Sequence, residues 1–225
     1  MKLVLVRHAQ TAANAEGRLQ GRADFDLSQE GLEQSALLRD RLFKESYEPT
    51  HFYVSPLKRT LQTAEIIGKS WVVEPKHWKD LMEYDVGIVS GLTWDEIAFS
   101  HPEIDIDLEK TRQLEGVEGA ESLLDRRKRA TRVIEHIFNK HEQADSILLV
   151  SHGGFIQHMI SVLMGSTYTW GIQIGNTAIF EFSIDKQRWN RLETKYQHSA
   201  SFFKIDRFND STHIGKPSLL SGDMN

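Results

Sequence analysis

The chain has no cysteine among its 225 residues. That single absence excludes disulfides, thiolate zinc sites and cysteine nucleophiles together. No apolar run approaches the length of a bilayer span, and Met1-Lys2-Leu3-Val4 passes straight into a strand pattern, without the basic and apolar regions of a signal peptide. The cytoplasm is the expected compartment, with no membrane partner. An excess of positive charge is missing too: 27 Lys and Arg against 32 Asp and Glu give a formal charge of −5. That balance argues against nucleic acid as a partner, so any bound anion must be held by a local cluster. Neither Gly-x-x-x-x-Gly-Lys-[Ser/Thr] nor Gly-x-Gly-x-x-Gly occurs, which counts against P-loop and dinucleotide chemistry.

What is present is ordinary in bulk. Hydrophobic residues make up 40% and charged residues 26%, as in soluble globular proteins, and the length suits one large core. A single domain is expected over 1–207. Within it, 100–119 is acidic and broken by Pro102, Gly116 and Gly119, which suggests an inserted flexible cover. Residues 208–225 carry Gly215, Pro217 and Gly222 without apolar periodicity, so a flexible C-terminal tail is expected there.

Apolar strands alternate with helical patterns, the signature of an α/β sheet. Strands are expected at 2–7, 51–55, 71–74, 146–151, 176–184 and 188–197. Ser28 caps a helix over 29–45 in which Leu32, Ala36, Leu38 and Leu42 recur at helical spacing. Pro56 opens a helix running to about Lys69, and Thr93-Trp94-Asp95-Glu96 forms a capping box for a short helix over 94–99. The longest helix spans 121–141, with Leu123, Ala130, Val133, Ile134, Ile137 and Phe138 on its apolar face. Its other face, with Arg126, Arg127, Lys128 and Arg132, reads as solvated. Ser151-His152-Gly153-Gly154 turns the 146–151 strand into a helix over 154–164.

Ligands of open α/β sheets gather beyond the carboxyl ends of the strands. Arg7 and His8 stand where the first strand ends. Arg59 follows the second, Glu83 lies in the loop after the third, and His152 ends the fourth. In a parallel sheet these loops project from one edge. The set has a coherent chemistry, although a lone Arg-His pair is more often a surface pair. Arginines at 7 and 59 can clamp a phosphoryl group. A neutral imidazole whose other nitrogen is fixed as a donor can attack phosphorus. A second, cationic histidine would neutralise charge on the equatorial oxygens. A carboxylic acid, kept protonated by the dianionic phosphate beside it, can protonate the leaving oxygen.

The ordered series Val-Arg-His-Ala-Gln-Thr-Ala-Ala-Asn (6–14), Gly-Arg-Leu-Gln-Gly-Arg-Ala-Asp (17–24), Leu-Ser-Gln-Glu-Gly (27–31), Ser-Pro-Leu-Lys-Arg-Thr-Leu-Gln-Thr-Ala (55–64), Leu-Met-Glu-Tyr-Asp-Val-Gly (81–87), Gly-Ala-Glu-Ser (119–122), Val-Ser-His-Gly-Gly (150–154) and Gly-Asn-Thr (175–177) resembles the histidine phosphatase superfamily. The resemblance is to its phosphoglycerate mutase-like branch, and most of all to the broad-specificity phosphatases. It covers roughly residues 2–200 and implies a three-layer α/β/α sandwich with a mostly parallel sheet. It also implies that His8 is the nucleophile, that Arg7, Arg59 and His152 form the phosphate pocket, and that Glu83 is the proton donor. Asn14, Gln20, Gly21 and Gly153 would line the pocket; the first three of these roles come from the resemblance alone.

The chain departs from the family's usual pattern at Ala9, where glycine is common, and at Ile88-Val89-Ser90-Gly91, where many phosphatases carry Trp-Glu-Gly. It also lacks the basic, aromatic segment with which mutases hold a substrate carboxylate. The expected function is metal-independent hydrolysis of a small phosphomonoester through a phosphohistidine, with no cofactor and no metal. A phosphoglycerate mutase and a phospho-ligand-binding regulatory protein without turnover are the alternatives. Tyr84 and Phe25 flank the motifs and are candidates for substrate selection. Trp94 and Phe99 are spaced for packing, with Trp94 a possible border of the pocket, and His158 either packs or faces solvent. His136 and His141 lie five apart, off a common helix face, which counts against a helical metal pair. The substrate and the oligomeric state are not encoded in any readable motif.

Overall fold

The computed structural model describes residues 1–104, 114, 116–169, 171–186 and 203–215. In chain order its strands are β1 (Lys2–Arg7), β2 (His51–Val54), β3 (Lys76–His77), β4 (Ser146–Ser151), β5 (Ile179–Ile184) and β6 (Phe203–Asp210). Its helices are α1 (Ala12–Ala15), α2 (Gln29–Lys44), α3 (Lys58–Ile67), α4 (Trp94–Ser100), α5 (Leu123–Lys140) and α6 (Gly153–Leu163). The six strands form one sheet in the order β3-β2-β4-β1-β5-β6. Pairs from β3 through β1 are parallel, while β5 and β6 join antiparallel. This is the expected α/β architecture, a mostly parallel mixed sheet with helices on both faces.

The central strands are apolar without interruption because both of their faces are covered. Leu3 and Leu5 of β1, with Ile147 and Leu149 of β4, pack on Ala130, Val133 and Ile137 of α5 and on Phe155, Ile156 and Met159 of α6. Val4, Val6, Leu148 and Val150 turn the other way, onto Leu38 and Leu42 of α2 and Ala64 and Ile67 of α3. Each such fully buried side chain stabilises the fold by roughly 1.5–3 kcal/mol. Ser28 caps its helix as expected, its Oγ accepting from Gly31 N, and the longest helix starts at a cap not read from the sequence, Ser122 Oγ accepting from Asp125 N. Thr93 and Glu96 form both halves of a capping box.

Several expectations shift. Residues 71–74 are not a strand: Val72 is 90% exposed, and Trp71 instead packs edge-on to Phe52 at 5.5 Å and donates to Tyr47 O at 3.1 Å. The third strand is the two-residue β3. The strand expected at 188–197 lies outside the described residues, and β5 pairs with β6 at 203–210. Since β6 continues through Asp210, the expected boundary at 207/208 falls inside a strand. Arg41 holds Asp210 through Nη1 and Nη2, and His213 contacts Thr177 Oγ1 at 2.9 Å, so the part of the expected tail up to Gly215 is tied to the domain, and residues 216–225 lie outside the described residues. In the segment expected to be a flexible cover, Leu114 and Val117 are buried with Val86, Val89 and Ile97. In α4, Trp94 and Phe99 are exposed and Ile97 alone is buried. Among the described residues no helix is long and apolar enough to cross a membrane.

Candidate active site

The carboxyl ends of β1, β2 and β4 lie side by side because these strands are parallel neighbours. The ladder runs one residue past β1, with His8 N donating to Ser151 O at 3.0 Å. That continuation sets the His8 and His152 rings 5.2 Å apart. His8 is buried, and its Nδ1 lies 2.7 Å from Ala9 O. A carbonyl oxygen can only accept, so Nδ1 carries the ring proton and Nε2 keeps a lone pair. Burial first, then the Arg7 and Arg59 charges, hold His8 well below the usual imidazole range. The ring is therefore neutral at pH 7, the state a nucleophile needs.

Arg59 enters from the first turn of α3 and is almost wholly buried. Its Nη1 donates to Ala23 O at 2.8 Å, its Nη2 to Gly21 O at 2.7 Å, and its Nε to His152 Nδ1 at 3.2 Å. Burial lowers its pKa to about 10, which still leaves it a cation at neutral pH. Gly21 has to be glycine. Its φ is +50°, and a Cβ there would lie 2.6 Å from Val86 Cγ2.

Arg7 donates from Nη1 to Ile174 O, while its Nε is buried with no hydrogen-bond partner. An orphaned guanidinium N–H beside a cavity calls for an acceptor that arrives with a ligand or with water. Asn14 is oriented for donation. Its Oδ1 accepts from Thr11 N at 3.1 Å and from Thr11 Oγ1 at 3.0 Å, so the amide NH2 remains for another partner.

Glu83 stands in the loop after β3. Its Oε1 accepts from Tyr84 N and its Oε2 from Gly154 N, each at 3.0 Å. The loop is fastened from below: Ser151 Oγ donates to Leu81 O at 2.7 Å, and Arg129 Nη1 donates to Asp80 O at 2.8 Å and Met82 O at 2.7 Å. Arg129 is itself held by two 2.8 Å bonds to the Glu121 carboxylate. Gly154 admits this arrangement only without a side chain, since a Cβ would lie 2.2 Å from Tyr84 Cε1.

A cavity of about 190 Å³ opens among Arg7, His8, Asn14, Gln20, Gly21, Arg59 and Glu83, with Arg18, Leu19, Tyr84 and Val86 completing its wall. Seven of the nine expected site residues thus meet in one concavity. His152 and Gly153 do not line it. His152 is fully buried behind Arg59, and Gly153 lies against Arg7, where a Cβ would be 3.3 Å from Nε.

The expectation of a cationic second histidine is corrected. His152 Nδ1 accepts from Arg59, so its ring proton sits on Nε2, 2.7 Å from Ser55 Oγ. Burial first, then Arg59, His8 and Arg7, push His152 well below the usual imidazole range. What it contacts in this structure is Arg59 and Ser55.

Sequence reasoning missed Arg18, Leu19 and Val86 on the wall and the Arg129–Glu121 clasp beneath Glu83. It also placed Arg126 on the solvated face of α5. Arg126 is buried, with its guanidinium 4.0 Å over the Tyr84 ring. Tyr84, proposed for selection, is on the wall; Phe25 and Trp94 are not. His158 packs, buried, edge-on to Tyr84 at 6.2 Å.

With this geometry in place, relatives can be compared. A metal-independent phosphoserine phosphatase of Arabidopsis thaliana is 37% identical over 158 residues, 69% of this chain and just under two thirds, 66%, of that protein. Phosphoserine phosphatase 1 of Hydrogenobacter thermophilus is 31% identical over 84% of this chain and 89% of its own length. In solved structures the fold is shared with a phosphoserine phosphatase of Entamoeba histolytica, crystallised as a mutant with phosphoserine. That structure superposes with a TM-score of 0.72 at 24% identity over 95% of this chain and 98% of that one. Residues 3–196 match the family described as the histidine phosphatase superfamily (branch 1). By the extent of that match and the order of its strand-end residues, this chain belongs to the histidine phosphatase superfamily.

Proposed function

We propose that this protein is a metal-independent phosphomonoesterase that turns over through a phosphohistidine at His8. The family and its phosphoserine phosphatase relatives support phosphatase activity. The observation that carries the finer reading is the bond of His8 Nδ1 to Ala9 O at 2.7 Å, which directs the free lone pair of the buried ring to Nε2. Arg7 and the remaining N–H groups of Arg59 take the non-bridging phosphoryl oxygens, with the Asn14 amide as a further donor. His8 Nε2 forms a bond to phosphorus as the ester P–O bond breaks, and the departing oxygen takes the proton of Glu83. Water then gives a proton back to the Glu83 carboxylate as its oxygen attacks phosphorus. The N–P bond breaks, inorganic phosphate leaves and His8 returns neutral. The two arginines carry the charge neutralisation that a metal would otherwise supply.

Phosphoserine is the substrate this reading takes first, on the support of relatives named phosphoserine phosphatases, with other small phosphomonoesters beside it. The test is phosphate release by the purified chain from phosphoserine, 3-phosphoglycerate and p-nitrophenyl phosphate, with EDTA present. Acid quenching alongside should trap an acid-labile phosphoryl group on the protein. Turnover with EDTA, and a trapped group lost in His8→Ala, are expected. Formation of 2-phosphoglycerate without phosphate release would convert the reading to a mutase. Binding without turnover of any ester would convert it to a phospho-ligand-binding protein.

A further inference from the structure

At the opposite edge of the sheet from the catalytic cavity, three side chains that catalysis does not use come together. His51 is the first residue of β2, His141 follows the last residue of α5, and Asp145 immediately precedes β4. Since β2 and β4 are parallel neighbours, with His51 opposite Ile147, their starts are adjacent and α5 delivers His141 beside them. Asp145 Oδ2 lies 3.5 Å from His141 Nδ1 and 3.8 Å from His51 Nδ1. One donor atom from each of the three side chains lies within 4.8 Å of the others.

We propose that His51, His141 and Asp145 form a binding site for a divalent transition metal of the Zn²⁺ class, separate from the phosphatase centre. The donor set is two imidazoles and a carboxylate, chemistry that suits zinc, cobalt or nickel better than magnesium or calcium. Ligands at zinc bond lengths in a tetrahedron stand about 3.3 Å apart. Both observed separations from Asp145 Oδ2 are within about half an ångström of that value.

A second observation points the same way. His141 is 2% exposed, yet its Nδ1 is buried and makes no hydrogen bond. Its other nitrogen lies 3.1 Å from the Tyr53 hydroxyl. With a metal on Nδ1 the ring proton would sit on Nε2 and Tyr53 Oη would accept it, the outer contact that fixes a ligating histidine. The carboxylate is braced as well, with Asp145 Oδ2 accepting from Glu142 N at 2.8 Å. Thr50 Oγ1, 2.9 Å from His51 Nδ1, has Ser146 O at 3.1 Å as another acceptor, so its rotation frees the imidazole lone pair. Three protein donors leave a coordination position for water, which reaches the partly exposed His51 and Asp145.

The experiment is calorimetric titration of the full chain with ZnCl2, in wild type and in His51→Ala and Asp145→Asn. Both substituted side chains are outside the core, so neither variant depends on repacking, and far-ultraviolet circular dichroism checks that each is folded. One Zn²⁺ per wild-type chain is expected, weakened at least about tenfold by each substitution. Hydrolysis of p-nitrophenyl phosphate by the two variants should stay within about twofold of wild type, because neither touches the catalytic cavity. His8→Ala, which leaves the cluster intact, is expected to keep the zinc. Absence of stoichiometric uptake by wild type overturns the proposal. Uptake undiminished in both variants, or uptake lost in His8→Ala, overturns it equally.

Discussion

Arg59 donates from Nε to Nδ1 of His152 across 3.2 Å, and the direction of that bond sets the charge of the rings around it. A guanidinium cannot accept, so His152 keeps its proton on Nε2 against Ser55 and stays neutral. His8 stays neutral beside it, held down first by burial and then by the charges of Arg7 and Arg59. The acid limb of kcat/KM that reports His8 should therefore lie well below pH 6.5, with activity toward p-nitrophenyl phosphate flat from about pH 7.5 to 6.5. A limb centred near 6.5 would mean that His8 titrates as an ordinary exposed imidazole.

Stability carries its own pH signature. His158 and His213 are pushed down to about 4, in each case by burial first and then by a neighbouring arginine, Arg126 or Arg41. Their folded values lie below the unfolded value of 6.5, so between about 4 and 6.5 the unfolded chain binds more protons. Their contribution is fully present above 6.5 and is lost as the pH falls toward 4, by about 1.4 kcal/mol per unit of separation for the buried His158 and by less for the partly exposed, solvent-screened His213. Urea unfolding at a series of pH values should show this slope, and His158→Gln should reduce it. A slope identical in the variant would exclude His158 as a source.

Glu83 accepts from Tyr84 N and Gly154 N and faces the cavity. Glu83→Gln keeps the shape and removes the acid. The loss in kcat should be about 100-fold or more on phosphoserine and much smaller on p-nitrophenyl phosphate, whose leaving group hardly needs a proton. Equal losses on the two substrates would assign Glu83 to binding or to structure.

Arg129 tests the clasp beneath that loop. Its guanidinium grips Glu121 with two bonds and two loop carbonyls with others, and it lies 3.9 Å over the Phe155 ring. Arg129→Met leaves the Glu121 carboxylate with only the longer 3.3 Å contact from Arg22 and frees two loop carbonyls, and should destabilise the fold by about 1.5–3 kcal/mol. Arg129→Lys keeps the charge but not the fork, so kcat should fall while KM changes little. An unchanged kcat in the folded lysine variant would show that Glu83 needs no such support.

The legible parts of the fold are those where local chemistry and tertiary position agree. Val4 to Val6 and Ile147 to Val150 are apolar because they are covered on both faces, and Ser28 and Thr93 announce their helices by side chains that cap them. Arg7, His8, Arg59 and Glu83 group together because each follows a strand, although the strand before Glu83 lies at 76–77 and not at the apolar 71–74. Its true residues, Lys76 and His77, are exposed and only two long. Elsewhere the deciding contact comes from far along the chain. β6 alternates apolar and polar residues only from Phe203 to Asp206 before the pattern breaks, and Lys204, Ile205 and Asp206 stay exposed beside β5. Arg126 sits in a run of charges, and nothing local reveals that Tyr84, 42 positions earlier, covers it. Along the chain His141 suggests a pairing with His136, whereas in space its neighbours are His51 and Asp145.

Three of the N–H groups of Arg59 are engaged by the protein itself, on Ala23, Gly21 and His152. The plane of the guanidinium is thus set during folding, before any ligand is present. An incoming oxyanion meets a rigid mould, and the ordering entropy that a free arginine would lose on binding has already been lost. Recognition of the phosphoryl group is then insensitive to what the phosphate is attached to. Discrimination among esters falls to the outer wall, at Arg18, Leu19, Tyr84 and Val86, so the range of substrates should be adjustable there without disturbing the chemistry.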